Sequence, residues 1–260
     1  MVTVLCELKD NIYWLTLNRP QNVNAINLQM VSDLHNILDQ VEQDSNARAL
    51  VITGSGDIFC GGADLQWMLT SMELTKEENY KDALQLAQLL DKLNSLSVTT
   101  IAKVNGACMG GGLGIISCCD IVVASTASKY SFTELLLGLI PSTILPYVIN
   151  VVGIKQAKQL MLTASLMDVE YALRLGFVHQ LVDKDNLDTC VNEILDRVFL
   201  TAPTSARFLK SLFISKQKLT VEEIELSAKH LADIRSTPEA QQGIQAFLSH
   251  KKPAWAIKSE

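Results

Sequence analysis

Two glycine-rich corners constrain this chain more than any other feature: Phe59-Cys60-Gly61-Gly62-Ala63-Asp64-Leu65 and Asn105-Gly106-Ala107-Cys108-Met109-Gly110-Gly111-Gly112-Leu113. Each ends a β-rich run and leads into a helical pattern, the second following Thr99 to Val104. Glycine there lets the backbone take positive φ and lets another group come close to main-chain N–H donors. The helix that follows adds unpaired amides and the positive end of its dipole. If the corners converge they form a two-donor oxyanion hole; the competing reading is that the glycines only permit tight strand-to-helix packing. Phosphate-loop readings lose support, because G-x-x-x-x-G-K-[ST] is absent and Gly112-x-Gly114 is followed by Ser117 where G-x-G-x-x-G needs glycine.

The first half alternates strand and helix signals, which predicts an α/β class. Val2 to Leu8 and Ile12 to Leu17 read as a hairpin about Lys9-Asp10-Asn11. Asn27 precedes a helical pattern of Met30, Val31, Leu34, Leu38 and Val41, Ala49 to Thr53 reads as a buried strand, and an amphipathic helix covers Leu84 to Leu93. Strand signals stop after about Val182, and three or four helices follow, with Pro203 and Pro238 in first turns. We therefore expect a β/α core over residues 1–195 and a helical region over 196–260.

With 260 residues, 48% of them hydrophobic, the chain can bury a large core. Its net charge of −6 offers no electrostatic footprint for nucleic acid, so an anionic ligand must be held by local donors. Six cysteines without CxxC spacing, most of them in apolar runs, read as reduced core residues in a cytoplasmic protein, and no signal peptide is visible. Leu135 to Ile154 is uncharged and long enough to span a bilayer, but Pro141, Pro146, Ser142, Thr143 and Asn150 predict a buried core segment instead.

Glu134 is the one acid in the apolar stretch from Tyr130 to Leu137. Desolvation there would raise its pKa and make it a proton donor or acceptor near neutral pH; the equal alternative is a first-turn acid gaining from a helix dipole. Asp64 reads as a helix cap and Asp120 as a hydrogen-bonding residue. His35, His179, His230 and His250 form no metal-hydrolase or serine-hydrolase constellation.

In order and spacing, several segments together resemble the enoyl-CoA hydratase/isomerase (crotonase) superfamily. They are Asn18-Arg19-Pro20 with Asn24-Ala25-Ile26-Asn27, Phe59 to Leu65, Asn105-Gly106 with Gly110 to Gly112, and Gly138-Leu139-Ile140-Pro141. Ala172 to Val178 and Phe247 with Lys251-Lys252-Pro253-Ala254-Trp255 continue the series. The resemblance implies a crotonase-like spiral β/α core with a helical C-terminal trimerisation region, assembled as a trimer or a dimer of trimers. It implies an acyl-CoA thioester substrate, no metal and no cofactor beyond the coenzyme A of the substrate. By position, Ala63 and Gly111 would hold the thioester oxygen, and Glu134 would be the catalytic acid/base. Ala25, Gly61, Asp64, Leu65, Gln66, Gly110, Lys251 and Lys252 would contact the substrate.

Two positions depart from the family pattern. Gly114 stands where many hydratases carry a first glutamate that holds the attacking water, and Val23 stands where a basic residue is frequent near the CoA phosphates. Asp64 to Met68, Ile116 to Ile121, and Gly138 to Pro141 with Pro146-Tyr147-Val148 resemble the bacterial methylglutaconyl-CoA hydratase group, which also lacks the first glutamate. The leading expectation is therefore hydration of a branched enoyl-CoA such as 3-methylglutaconyl-CoA. The alternatives are a double-bond isomerase working through Glu134 alone and a family member that binds CoA without turnover.

Overall fold

The computed structural model describes residues 2–217 and 219–256. Strands β1 (Val4–Lys9) and β2 (Ile12–Leu17) form an antiparallel hairpin. Its two turn residues, Asp10 and Asn11, have φ of 52° and 62°, the left-handed pair that a tight hairpin turn requires and that Asp and Asn tolerate. Helix α1 (Leu28–Gln43) starts where Asn27 accepts from the Met30 amide at 2.9 Å, and it buries the Met30, Val31, Leu34, Leu38 and Val41 face.

From there the chain repeats one move: a strand in a first sheet, a glycine-assisted corner, a short strand in a second sheet, then helix. β3 (Ala49–Gly54) leads to β4 (Ile58–Cys60), α2 (Leu65–Glu73) and α3 (Lys76–Asn94). β5 (Thr99–Val104) leads to β6 (Ala107–Met109) and α4 (Gly111–Ser117). β7 (Ile121–Ser125) leads to β8 (Lys129–Ser131) and α5 (Leu145–Thr163). β9 (Met167–Asp168), α6 (Val169–Leu175) and β10 (Gln180–Val182) close the core. The strand orders, β1-β2-β3-β5-β7-β10 and β4-β6-β8-β9, make the path a spiral in which each turn adds a strand to both sheets.

The motif asparagines hold the corners between the sheets. Asn105 donates to the carbonyls of Gly54 (3.0 Å) and Gly56 (2.8 Å), and Asn24 donates to those of Ser55 (2.8 Å) and Ile58 (2.7 Å). Gly54 closes its strand, Ser55 and Gly56 lie between the sheets and Ile58 opens the next strand, so the two side chains hold the carbonyls along the whole turn from one sheet to the other. A Cβ on Gly106 would sit 1.8 Å from the Asp57 carbonyl oxygen, so no other residue fits that crossing.

Helix α7 (Leu187–Leu200) packs Val191, Ile194 and Leu195 on the outer face of the first sheet and runs unbroken past residue 195. α8 (Pro203–Gln217) is fastened by polar staples: Arg207 to the Ala47 carbonyl at 2.8 Å and Lys210 to Asp120 at 2.6 Å. α9 (Val221–Arg235) lies along α3 through Ala83, Ala87 and Ala228. α10 (Pro238–Leu248) sits on Met68, Leu137 and Leu139. The uncharged run from Leu135 becomes a 3-10 turn, a Pro-containing link and the first part of α5, which breaks at Gly153 (φ 74°). No helix among the described residues is long and apolar enough to cross a membrane.

Candidate active site

Three short parallel strands bring both glycine corners and Glu134 to one edge. β4 pairs with β6 and β6 with β8, all in the same direction, so their C-terminal ends lie side by side. β4 turns through Gly61 and Gly62 into Ala63, β6 turns through Gly110 into α4, and β8 ends just before Glu134. A Cβ built on Gly110 would lie 3.7 Å from the Gly62 Cα and 2.9 Å from Glu134 Oε1. Gly110 also has φ of 48°, so both conformation and space call for glycine.

The amides flanking Ala63 are tied down while its own is left free. Ile26 donates to the Gly62 carbonyl and the Asp64 amide donates to the Ile26 carbonyl, each at 2.8 Å. Among the described residues, neither the Ala63 amide nor that of Gly111, the first residue of α4, has a hydrogen-bond partner. Two free donors on fixed backbone are what an oxyanion hole requires.

Glu134 opens the turn Glu134–Leu137. Tyr130 and Phe132 before it and Leu137 and Leu139 after it are buried, which anchors the chain on both sides. Part of the residue reaches solvent, but Oε2 is sealed and unpartnered. Burial pushes the carboxyl up to about 7, because the charged form loses water without gaining a partner; only a backbone hydrogen bond opposes this. A dominant helix-dipole role would lower the value, so the direction favours proton transfer over capping.

Ala63, Gly110, Gly111 and Glu134 line one cavity of about 60 Å³, otherwise walled mainly by apolar groups such as Ile26, Leu86 and Ile144. A larger open groove of about 510 Å³ lies between α3 and α9, but its charged rim of Lys76, Glu222 and Lys229 includes no glycine corner. The smaller cavity, which holds both corners and Glu134, is therefore the candidate site.

The missing first glutamate leaves no room behind it. Gly114 is buried inside α4, and a Cβ there would lie 2.3 Å from Ile144 Cγ2 and 3.0 Å from Ile144 Cβ. Restoring the acid should therefore damage the protein without helping hydration. Gly114→Glu is expected to lose about 3 kcal/mol or more, from overpacking plus a buried carboxyl, as read by denaturant unfolding. Unchanged stability together with faster water addition would mean that Ile144 yields and the position still accepts a carboxylate.

The other sequence-nominated residues lie outside this cavity lining. Asp64 is buried, caps α2 by accepting from the Gln66 (2.8 Å) and Trp67 (3.1 Å) amides, and pairs with Arg19 at 2.7 Å. Arg19 also donates to the Ala25 carbonyl at 2.6 Å, which ties the Arg19–Ala25 loop to the corner. Gly61 lies under Val23, where a Cβ would be 2.4 Å from Val23 Cγ2. Leu65 and Gln66 are exposed in the first turn of α2, and Lys251 and Lys252 are exposed beyond α10. His179 accepts the Val122 amide at 2.9 Å and Asp120 holds Thr100 and Lys210, both structural duties.

Sequence reasoning missed Trp67 and Arg235, which also line the cavity. Arg235 ends α9, where a basic residue reads as an exposed partner of the helix C-terminus, so no local signal marked it.

The enoyl-CoA hydratase/isomerase family model matches residues 7–258. A short-chain-enoyl-CoA hydratase of Clostridium acetobutylicum is 27% identical over 96% of this chain and 95% of its own. A mevalonyl-coenzyme A hydratase of Aspergillus fumigatus is 30% identical over 94% and 91%. The crystal structure of an enoyl-CoA hydratase from Shewanella pealeana is 31% identical, covers 97% of this chain and 96% of its own, and superposes with a TM-score of 0.80.

Proposed function

Because this chain belongs to the enoyl-CoA hydratase/isomerase family and is an enoyl-CoA hydratase of the crotonase type, we propose that it hydrates a short branched enoyl-CoA, 3-methylglutaconyl-CoA being our favoured substrate. The observation that carries this reading is the sealed, unpartnered Oε2 of Glu134 in a cavity shared with the free amides of Ala63 and Gly111. In the proposed reaction the two amides hold the thioester oxygen. The Glu134 carboxylate takes a proton from water as the water oxygen bonds to Cβ, and the electron pair of the double bond moves onto the thioester as an enolate. The protonated Glu134 then returns its proton to Cα. One acid suffices, because the proton taken is the proton returned. No electron leaves or enters the substrate pair, so the reaction as drawn calls for no redox cofactor.

The branched acyl group rests on the three segments that resemble the methylglutaconyl-CoA hydratase group, and the small cavity favours a short chain. The second reading is double-bond isomerisation, favoured by the single carboxyl: Ile144 fills the space behind Gly114, and proton migration needs only Glu134. The two separate on incubation of 3-methylglutaconyl-CoA and a 3-enoyl-CoA in ¹⁸O-labelled water, followed by mass spectrometry. We expect label in the β-hydroxyl of the first product. No hydrated product together with rapid migration of the 3-enoyl double bond would reverse the order.

For assembly we propose a trimer or dimer of trimers, with α8 in the contact. Phe208, Leu209, Leu212 and Phe213 are exposed on that helix. Leu231 and Ile234 on α9 are covered by their own chain, on α3 and beside α10, and are left out of that contact. A concentration-independent monomer with full activity in sedimentation would sink this assignment. Cysteines read as reduced favour a reducing compartment such as the cytoplasm.

A further inference from the structure

Arg235 is only 4% exposed, yet its Nε and Nη1 have no hydrogen-bond partner among the described residues. An arginine placed only to complement the end of α9 would extend its head into water. Here the guanidinium carbon lies 5.1 Å from the centroid of the Trp67 ring. The Trp67 indole N–H donates to Asp82 at 3.0 Å, so that carboxylate attracts the guanidinium without hydrogen-bonding it. Burial lowers the Arg235 pKa to about 10, which leaves it charged at neutral pH. A buried cation with unused donors is among the least favourable arrangements in a fold, and its position on the cavity wall gives it a use. Glu134 lines the same cavity, but its Oε2 is as unpartnered as Arg235 Nε and Nη1, so these atoms do not satisfy one another.

We propose that Arg235 receives a carboxylate at the far end of the acyl chain, so that the cavity prefers ω-carboxy enoyl-CoA thioesters to neutral ones. This deepens the hydratase reading and rests on it for the placement of the thioester at Ala63 and Gly111. A chain held there projects its tail into the cavity that Arg235 lines. A methyl-ended tail leaves the guanidinium donors unpaired, whereas a carboxylate fills them with charge-assisted hydrogen bonds and neutralises the charge. Sites built around such a donor discriminate strongly, because the wrong ligand leaves a buried polar group unpaired.

Glutaryl-CoA and pentanoyl-CoA test the proposal, since they have equal chain length, differ only at the tail and carry no double bond to hydrate. In calorimetry the unmodified protein should bind glutaryl-CoA about 10- to 100-fold more tightly. Arg235→Met should bring that ratio to about one, and Arg235→Lys, which keeps charge without the planar fork, should retain part of it. Equal affinities in the unmodified protein, or a glutaryl preference that survives Arg235→Met, would overturn the assignment. Should the Met variant not fold, the ratio in the unmodified protein and its fall in Arg235→Lys decide. Parallel turnover of glutaconyl-CoA and pent-2-enoyl-CoA keeps the two claims apart. Failure to hydrate both esters sinks the hydration reading, while the binding ratio still judges Arg235.

Discussion

Glu134→Gln should lower kcat by at least about 100-fold and, at alkaline pH, yield a more stable protein than its parent. Both effects come from one feature: a carboxyl whose charged form is buried without a partner. For catalysis the ionised form is the working one, since it must accept the proton of water. kcat/KM should therefore rise with pH through about 7 and level off above it, and the glutamine variant should lose that inflection. For stability the sign follows from the raised value. Between the ordinary 4.5 and about 7 the folded protein holds a proton that the unfolded chain has lost, so stability falls as pH rises through that window. Below 4.5 the carboxyl is neutral in both states and the penalty vanishes; above about 7 it is complete, at roughly 3 kcal/mol. Glutamine carries no charge and escapes most of this, so its advantage in denaturant unfolding should be present at pH 8.5 and absent at pH 4.5. Near-normal kcat would remove Glu134 from the mechanism.

Much of this site is legible in the sequence because its chemistry sits at chain corners. Glycines that must take positive φ or admit another backbone are visible as letters, and so is a lone acid among apolar residues. The hairpin at Asp10-Asn11 and the cap at Asn27 are legible for the same reason, since each depends on residues adjacent in the chain. The second sheet is not: β4, β6 and β8 are each three residues long, too short for any periodicity to register. Long-range placement is equally silent. Gly114 reveals nothing of Ile144 pressed against it from the start of α5, and Arg235 has no local mark of its burial beside Trp67. Amphipathic pattern also leaves the partner unnamed. Leu231 looks like an uncovered apolar residue until Ala83, Ala87 and Ala228 are seen to let α9 settle on α3 of the same chain. Period identifies a face that must be covered; only the tertiary arrangement identifies what covers it.

Gly111→Val should cut kcat/KM by at least about 100-fold while the protein stays folded, the loss typical of removing an oxyanion donor. Of the neighbouring glycines it gives the cleanest test. Gly110 cannot be changed without disturbing both its left-handed backbone and Glu134 Oε1, 2.9 Å from any added Cβ. Gly112 would drive a Cβ to 2.8 Å from Cys60 Cβ in the core. At Gly111 the nearest atom is Ile26 Cδ1 at 3.1 Å, the end of a side chain that can shift by a few tenths of an ångström. The backbone is helical, and valine is no worse a helix former than glycine, so the substitution adds no propensity penalty. Ile26 and Gly111 both line the cavity, so the new methyl groups stand at its wall, beside the free amide that the thioester oxygen must reach. Gly112→Ala, measured in parallel, reports the effect of core crowding alone: it should lower stability more than Gly111→Val and activity less. If Gly111→Val folds with kcat/KM unchanged, the corner serves only to pack strand against helix, and the enolate oxygen must be held elsewhere.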